Sequence, residues 1–393
     1  MEKSGRWGKL DDGPAASGFM RPDWKRTSIS DSNIEDRMNS RDIRDFRLVS
    51  QQLAGTTLKT AKDIVGRLGA MQAQDYAMAK WAIGVRLPGS TNRTIETAIN
   101  KGEIIRTHLL RPTWHFATAE DVRWMLELTA PQIRSSMIGR HKEMGLTGPV
   151  LKKSYAVMEK ALRGGMHLTR DELIAELGKA KIATDGGHAS HLFLSAESEE
   201  IICSGGLKDG KQTYALLDEW VPKTKSLAKE EALAKLAARY FDGHGPATFQ
   251  DFVWWSGLPV NHARQALETV KRDFRSETID SLTYWLSGAL STAKPPAESA
   301  FLLPAFDEFL ISYKDRLISL PHENHHKAVS NNGIFYPIIV VNGRVTGTWK
   351  RTFKKGKTGT AATIQTKFFE RPDEAEAALI DKAEARYLRF VGK

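Results

Sequence analysis

The chain has 393 residues, 41% of them hydrophobic, and 57 Lys and Arg outweigh 47 Asp and Glu for a formal charge of +10. That length accommodates two to four small domains, each able to bury a core, and the cationic excess favours a polyanionic partner. Nothing approaches 18 consecutive apolar residues, MEKSGRWGKLDDG lacks a secretory apolar run, and the lone Cys203 excludes a disulfide framework or multi-cysteine metal site, so a cytoplasmic protein is expected.

Residues 1–44 are rich in Ser, Asp, Arg, Gly and Pro without a period that would bury a face, and read as a flexible arm. From Phe46 the pattern becomes three sets of short helical stretches, each closed by an aromatic-rich strand segment. The first, over 45–150, begins at RLVSQQLAG, passes through LKTAKDIVGRLGAMQAQ and a polar insert near Pro88 to Arg93, and ends in IIRTHLLRPTWHFAT. The second, over 151–225, is clearest. SYAVMEKALRGG reads as a helix, LTRDELIAELGKA as another with Thr169 and Glu172 forming a capping box, and SHLFLSAESEEII as a third. GLKDGKQTYALL then folds back at Asp209-Gly210. Three helices followed by a hairpin are the pattern of a winged helix.

The third set, over 226–295, runs from ALAKLAARYFDGHG through ATFQDFVWWSGLPVNHARQALETV to DSLTYWLSG, with Thr248 before one helix and Ser256 to Pro259 as the turn before the next. A loop at Lys294-Pro295-Pro296 leads to a unit over 296–393 with FLLPAFDEFLISYKDR, a strand pair turned at Asn342-Gly343, and an amphipathic helix from about Asp373 to Phe390. The fold expected is α+β: three tandem winged-helix units and a β-rich C-terminal domain.

A winged helix offers its third helix to the major groove and its hairpin to phosphates or the minor groove. Lys208 and Lys211 flank the second hairpin turn, Arg264 lies in the third unit's groove-reading helix, and Lys350, Arg351, Lys354, Lys355 and Lys357 form a basic run. Any one of these charges is more often merely solvated; their coincidence with three such patterns favours DNA contact. Arg111 and His115, in RPTWHF, are further DNA-contact candidates, although a buried, hydrogen-bonded histidine reads His115 equally well. His322-Glu323-Asn324-His325-His326 fits H-E-x-x-H, but it follows Pro321 in a short polar segment without a third ligand, and His188 with His191 forms only a loose pair. Neither metal nor cofactor is expected.

GAMQAQDYAMAKWAI, IIRTHLLRPTWHF, LLPAFDEFLISYKDR and VVNGRVTGTWKR, in that order, resemble the signature blocks of the AlkZ-like DNA glycosylases, and the resemblance spans roughly residues 45–390. It implies three tandem winged helices and a β-rich domain forming a concave DNA-binding surface. It also implies a monofunctional glycosylase for N7-alkylated purines, including bases in interstrand crosslinks. The family's Gln–apolar–Gln/Asp signature corresponds to Gln72-Ala73-Gln74, with both amides present and an apolar residue smaller than usual. An N7-alkylguanine is already cationic and leaves without strong protonation, so the enzyme mainly places water, which two amides do by accepting its hydrogen bonds. On spacing alone the same two glutamines read as exposed residues of a helix. Asp75, next to Gln74, is a possible source of negative charge, while Asp307, Glu308, Tyr313, Asp315 and Arg316 read as an internal salt-bridge network. The partner expected is double-stranded DNA, alkylated or crosslinked, bound by a monomer. A non-catalytic DNA-binding or regulatory protein is the alternative.

Overall fold

The computed structural model describes residues 38–288, 290, 297–356 and 359–392, without the side chains of 355–356 and 359–361. The arm expected before residue 38, the Lys294-Pro295-Pro296 loop, and the side chains of Lys355 and Lys357 lie outside the described residues. With 49% helix and 20% strand the fold is mixed, and among the described residues the strands gather into four antiparallel sheets.

Helix α1 (Ser40–Ser50) starts inside the stretch expected to be arm, because Asn39 and Asp42 form a reciprocal capping box. Helix α2 (Ala61–Leu68) is opened by a second box, Thr60 with Asp63. The sequence pattern carried this helix on through QAQ; the chain instead leaves it at Gly69, whose φ of 76° suits a glycine, and enters strand β1 (Met71–Gln72). Helices α3 (Tyr76–Gly84) and α4 (Asn92–Asn100) follow, then the hairpin of β2 (Ile104–Leu109) and β3 (Thr113–Thr118). A long helix, α5 (Val122–Glu143), leads to the second unit.

That unit repeats the order: α6 (Gly148–Leu162), β4 (Leu168–Thr169), α7 (Arg170–Lys179), α8 (His188–Ser198), β5 (Ile202–Ser204) and β6 (Thr213–Leu216). The expected Thr169–Glu172 capping box is present, and Asp209 and Gly210 take positive φ at the hairpin turn. After the short α9 (Leu217–Trp220), the third unit runs α10 (Lys229–His244), β7 (Ala247–Thr248), α11 (Phe249–Ser256), α12 (Val260–Val270), β8 (Phe274–Ile279) and β9 (Leu282–Ser287). The three sheets share one topology, with orders β1-β3-β2, β4-β6-β5 and β7-β9-β8.

The C-terminal unit contains β10 (Ala300–Leu303), α13 (Glu308–Ile311), α14 (His325–Ala328), β11 (Ile338–Val341), β12 (Arg344–Gly356), β13 (Gly359–Phe368) and α15 (Glu374–Val391). Its sheet has the order β10-β11-β12-β13, and α15 packs its Ile380, Tyr387 and Phe390 into the core beside it. His322 lies in a 3-10 turn and His326 in the four-residue α14, so the H-E-x-x-H pair does not share one α-helix.

Two cores meet at β1. Met71 and Ala73 belong to the core shared by the first and C-terminal units, whereas Ala70 belongs to the core shared by α5, the β2–β3 hairpin and the third unit. The second unit keeps its own core. The QAQ segment is thereby fixed between two packed bodies.

Candidate active site around Gln72

In the second and third units the last strand residue, Thr169 or Thr248, is also the N-cap of the next helix. In the first unit the strand ends at Gln72 and the N-cap is Asp75, so the chain carries extra residues at this point. Those residues are Ala73, Gln74 and the cap Asp75, which directly follow Gln72.

Gln72 pairs with His115 across the β1–β3 ladder and is only 5% exposed. Its backbone N–H donates to Glu308 Oε1 at 2.6 Å, and its side-chain oxygen accepts from Arg111 Nη2 at 3.1 Å. Because a guanidinium only donates, that contact fixes which end of the amide is oxygen. The oxygen keeps a second lone pair, and the NH2 faces away from the arginine.

Ala73 is fully buried; its N–H donates to the Trp114 carbonyl at 2.7 Å and its carbonyl accepts from Arg106 Nε at 2.9 Å. The Arg106 guanidinium lies 4.3 Å from the Trp114 ring centroid and also donates to Gln212 of the second unit at 3.0 Å. The small Ala73 therefore fits a site closed on both sides. Gln74 is exposed. The two amides thus flank one clamped peptide, one held and one free to meet a ligand.

Asp75 accepts from Met78 N at 3.0 Å as helix cap, and Arg351 Nη2 lies 3.9 Å from it. One of its oxygens is thus engaged as a cap, while the side chain stays partly exposed. Glu308, read from sequence as part of a salt-bridge network, is 1% exposed and lies directly behind Gln72. Besides the Gln72 N–H it accepts from Trp255 Nε1 at 3.2 Å and from the Ser312 hydroxyl, and His244 Nε2 stands 3.6 Å away. Burial alone would raise its pKa, but His244, Ser312 and the Gln72 N–H outweigh that and hold it down at about 2. It is a fixed carboxylate that accepts a hydrogen bond on each oxygen.

The other residues of that block make internal contacts. Arg86 and Asp307 form a buried bidentate pair at 2.8 Å, and the Tyr313 hydroxyl donates to the His244 carbonyl at 2.7 Å beneath Arg47. Arg316 donates to the Leu310 carbonyl at 3.0 Å, while the Asp315 N–H faces Asp251.

His115 is fully buried, with Nδ1 2.9 Å from the Thr113 carbonyl; burial first, then the charge of Arg111, push its pKa down to about 3. It is a neutral wall of the site. Arg111 is turned onto Gln72, with burial lowering its pKa and Glu308 raising it. Among the other DNA-contact candidates, Lys208 is paired with Glu172 at 2.6 Å, Lys211 is exposed, and Arg264 is exposed beside the Phe249 ring. Lys350 is exposed on β12, whereas Arg351 turns inward to the Tyr387 hydroxyl at 2.8 Å. Sequence reading missed Arg106 and His244, which carry no local signal and act through contacts with distant segments.

Among the described residues no three His, Cys, Asp or Glu side chains are grouped to hold a metal, and no helix is long and apolar enough to cross a membrane. The chain is 25% identical over 332 residues to an interstrand DNA cross-link repair glycosylase of Streptomyces sahachiroi, an alignment covering 79% of this chain and 87% of that relative. Its fold is similar to the solved Streptomyces sahachiroi DNA glycosylase AlkZ, with a TM-score of 0.73 at 20% identity over 91% of this chain and 98% of the other. The model of the AlkZ-like DNA glycosylases matches residues 65–390, which include β1, α13 and every group that holds Gln72, and the chain belongs to that family.

Proposed function

We propose that this DNA repair glycosylase hydrolyses the N-glycosidic bond of N7-alkylated purines, crosslinked ones included, with a water held by Gln72 and Gln74. The observation that carries this reading is the fixed amide of Gln72. Arg111 sets its orientation, Glu308 holds the Gln72 backbone N–H and accepts a hydrogen bond on each oxygen, and one Asp75 oxygen caps a helix. Such a site is poor in general acids. That suits a base which already carries a positive charge and departs without protonation, and it disfavours neutral bases such as uracil.

The repeated order of helix, strand, two helices and hairpin supports reading all three units as winged helices. On this reading the exposed Lys211 and Arg264, on a hairpin turn and a third helix, meet the sugar–phosphate backbone, as does Lys350 from β12.

The test is release of N7-methylguanine from a duplex carrying one such base, with the wild type and the Gln72→Ala, Gln74→Ala double mutant. The wild type generates abasic sites, and the double mutant loses at least ~100-fold in rate, a magnitude ordinary for removing polar groups that stabilise a transition state. Its affinity for the same duplex stays within a few-fold. Equal rates for the two proteins, or no release by either from this lesion and from bulkier N7 adducts, would overturn the reading.

A further inference from the structure

Trp254, on α11, is 39% exposed although its indole N–H is already satisfied by the Ile311 carbonyl at 2.9 Å. What it presents to solvent is therefore ring surface, held in one orientation. Two cations attend that ring: the Arg111 guanidinium carbon lies 5.7 Å from its centroid and that of Arg316 5.2 Å. Arg111 is the residue that donates to the Gln72 amide, and Ile311 ends the short helix that begins with Glu308. The indole is thus one guanidinium away from the signature glutamine.

The surroundings share this character. Arg316 also lies 4.9 Å from the Phe335 ring, and Ile334 and Tyr336 on either side of Phe335 are 47% and 41% exposed. Leu317, next to Arg316, is 55% exposed. Exposed apolar side chains concentrated beside a polar site mark a contact surface. The outside of a B-form duplex offers such a surface only sugars and phosphates. The flat faces of bases become available where a step is unstacked, and aromatic side chains with nearby cations are what receive them.

We propose that Trp254, with Arg316 at its edge, stacks on a nucleobase unstacked at the lesion step, so that binding opens the duplex beside Gln72. The ring supplies the stacking face and the guanidinium answers the neighbouring phosphate. This rests on the reading that Gln72 marks where the lesion lies.

The experiment compares wild type, Trp254→Ala and Trp254→Phe in single-turnover release of N7-methylguanine. One substrate is a fully paired duplex; in the other the strand opposite the lesion has a one-nucleotide gap, so that stacking is already lost. Base–aromatic stacking is worth ~10-fold or more per base when truncated to alanine. Trp254→Ala is expected to lose ~10-fold or more on the paired duplex and less than ~3-fold on the gapped one. Trp254→Phe, which keeps a ring but loses the indole N–H, retains most of the paired-duplex rate. Equal losses on both substrates, or equal losses in both variants, would overturn the proposal, because a merely structural tryptophan behaves that way.

A second arm does not depend on base release. The wild type should bind a duplex with a tetrahydrofuran abasic analogue more tightly than an intact duplex, and Trp254→Ala should abolish that preference. If no base is released by any protein but this preference is present and Trp254-dependent, the catalytic reading fails and the stacking proposal stands. If the preference is absent or survives in Trp254→Ala, the stacking proposal fails.

Discussion

Arg111 is a cation in a DNA glycosylase, yet its Nη2 donates to the Gln72 amide. A phosphate contact and an amide clamp make opposite forecasts for its removal. Arg111→Met is expected to lower the single-turnover rate by ~10-fold or more, since mispositioning a catalytic group by a fraction of an ångström is costly. The slope of log affinity against log salt should stay where it is, because no counterion-releasing contact is lost. A shallower slope with an unchanged rate would place Arg111 on the backbone. His115, behind the same strand, makes a second forecast. Its folded pKa of about 3 lies below the unfolded value, so below about pH 6.5 the unfolded chain takes up a proton that the fold refuses. The stability tied to this histidine is complete above that pH and is lost as pH falls toward about 3. Urea midpoints at pH 7.5 and 5 should show His115→Gln losing about 2 kcal/mol less than wild type between the two. An identical drop in both proteins would mean that the imidazole titrates freely.

At the scale of the element, the hairpin that delivers Arg111 and His115 depends on a glycine in another unit. Gly257 ends α11 with φ of 65°, and a Cβ there would meet the Leu110 carbonyl oxygen at 2.4 Å. Gly257→Ala is therefore expected to cost more than about 1 kcal/mol and to reduce base release beyond that loss of stability, by shifting the β2–β3 turn. Thermal unfolding and single-turnover rates measured together check this, and a variant as stable and active as wild type refutes the docking role. The SGLP turn itself was legible, as were the Thr169 and Thr248 caps and the turns at Asp209-Gly210 and Asn342-Gly343. Each is encoded by residues a few positions apart. The two-residue strands were not legible, because Met71 and Gln72 become a strand only by pairing with Phe116 and His115. The long β12–β13 hairpin was hidden for a related reason. Its run of Lys, Thr and Gly has no apolar alternation, and β13 is held by its ladder with β12. The site was legible as a motif through family likeness, while its support was not: Gln72 and Glu308 are 236 residues apart.

Across the whole molecule the formal charge is +10. Alternation along β12 divides its cations. Lys350 and Lys354 are exposed on one side, whereas Arg351 points back to Tyr387 and toward Asp75. Tyr387 belongs to the C-terminal helix and Asp75 caps the helix that follows the glutamines, so Arg351 ties the basic hairpin to the segment that follows Gln72 and Gln74. Cations of the two kinds are expected to separate in a salt titration of duplex binding. Each of Lys350→Ala and Lys354→Ala should lower the slope of log affinity against log salt by ~0.9, weaken all duplexes alike and leave the saturated rate of base release unchanged. Arg351→Ala should leave the slope within error and reduce the saturated rate, since the contact it loses is internal. If Arg351→Ala reduces the slope as the lysines do, the hairpin engages DNA through both of its faces, and its inward bond to Tyr387 gives way when DNA binds.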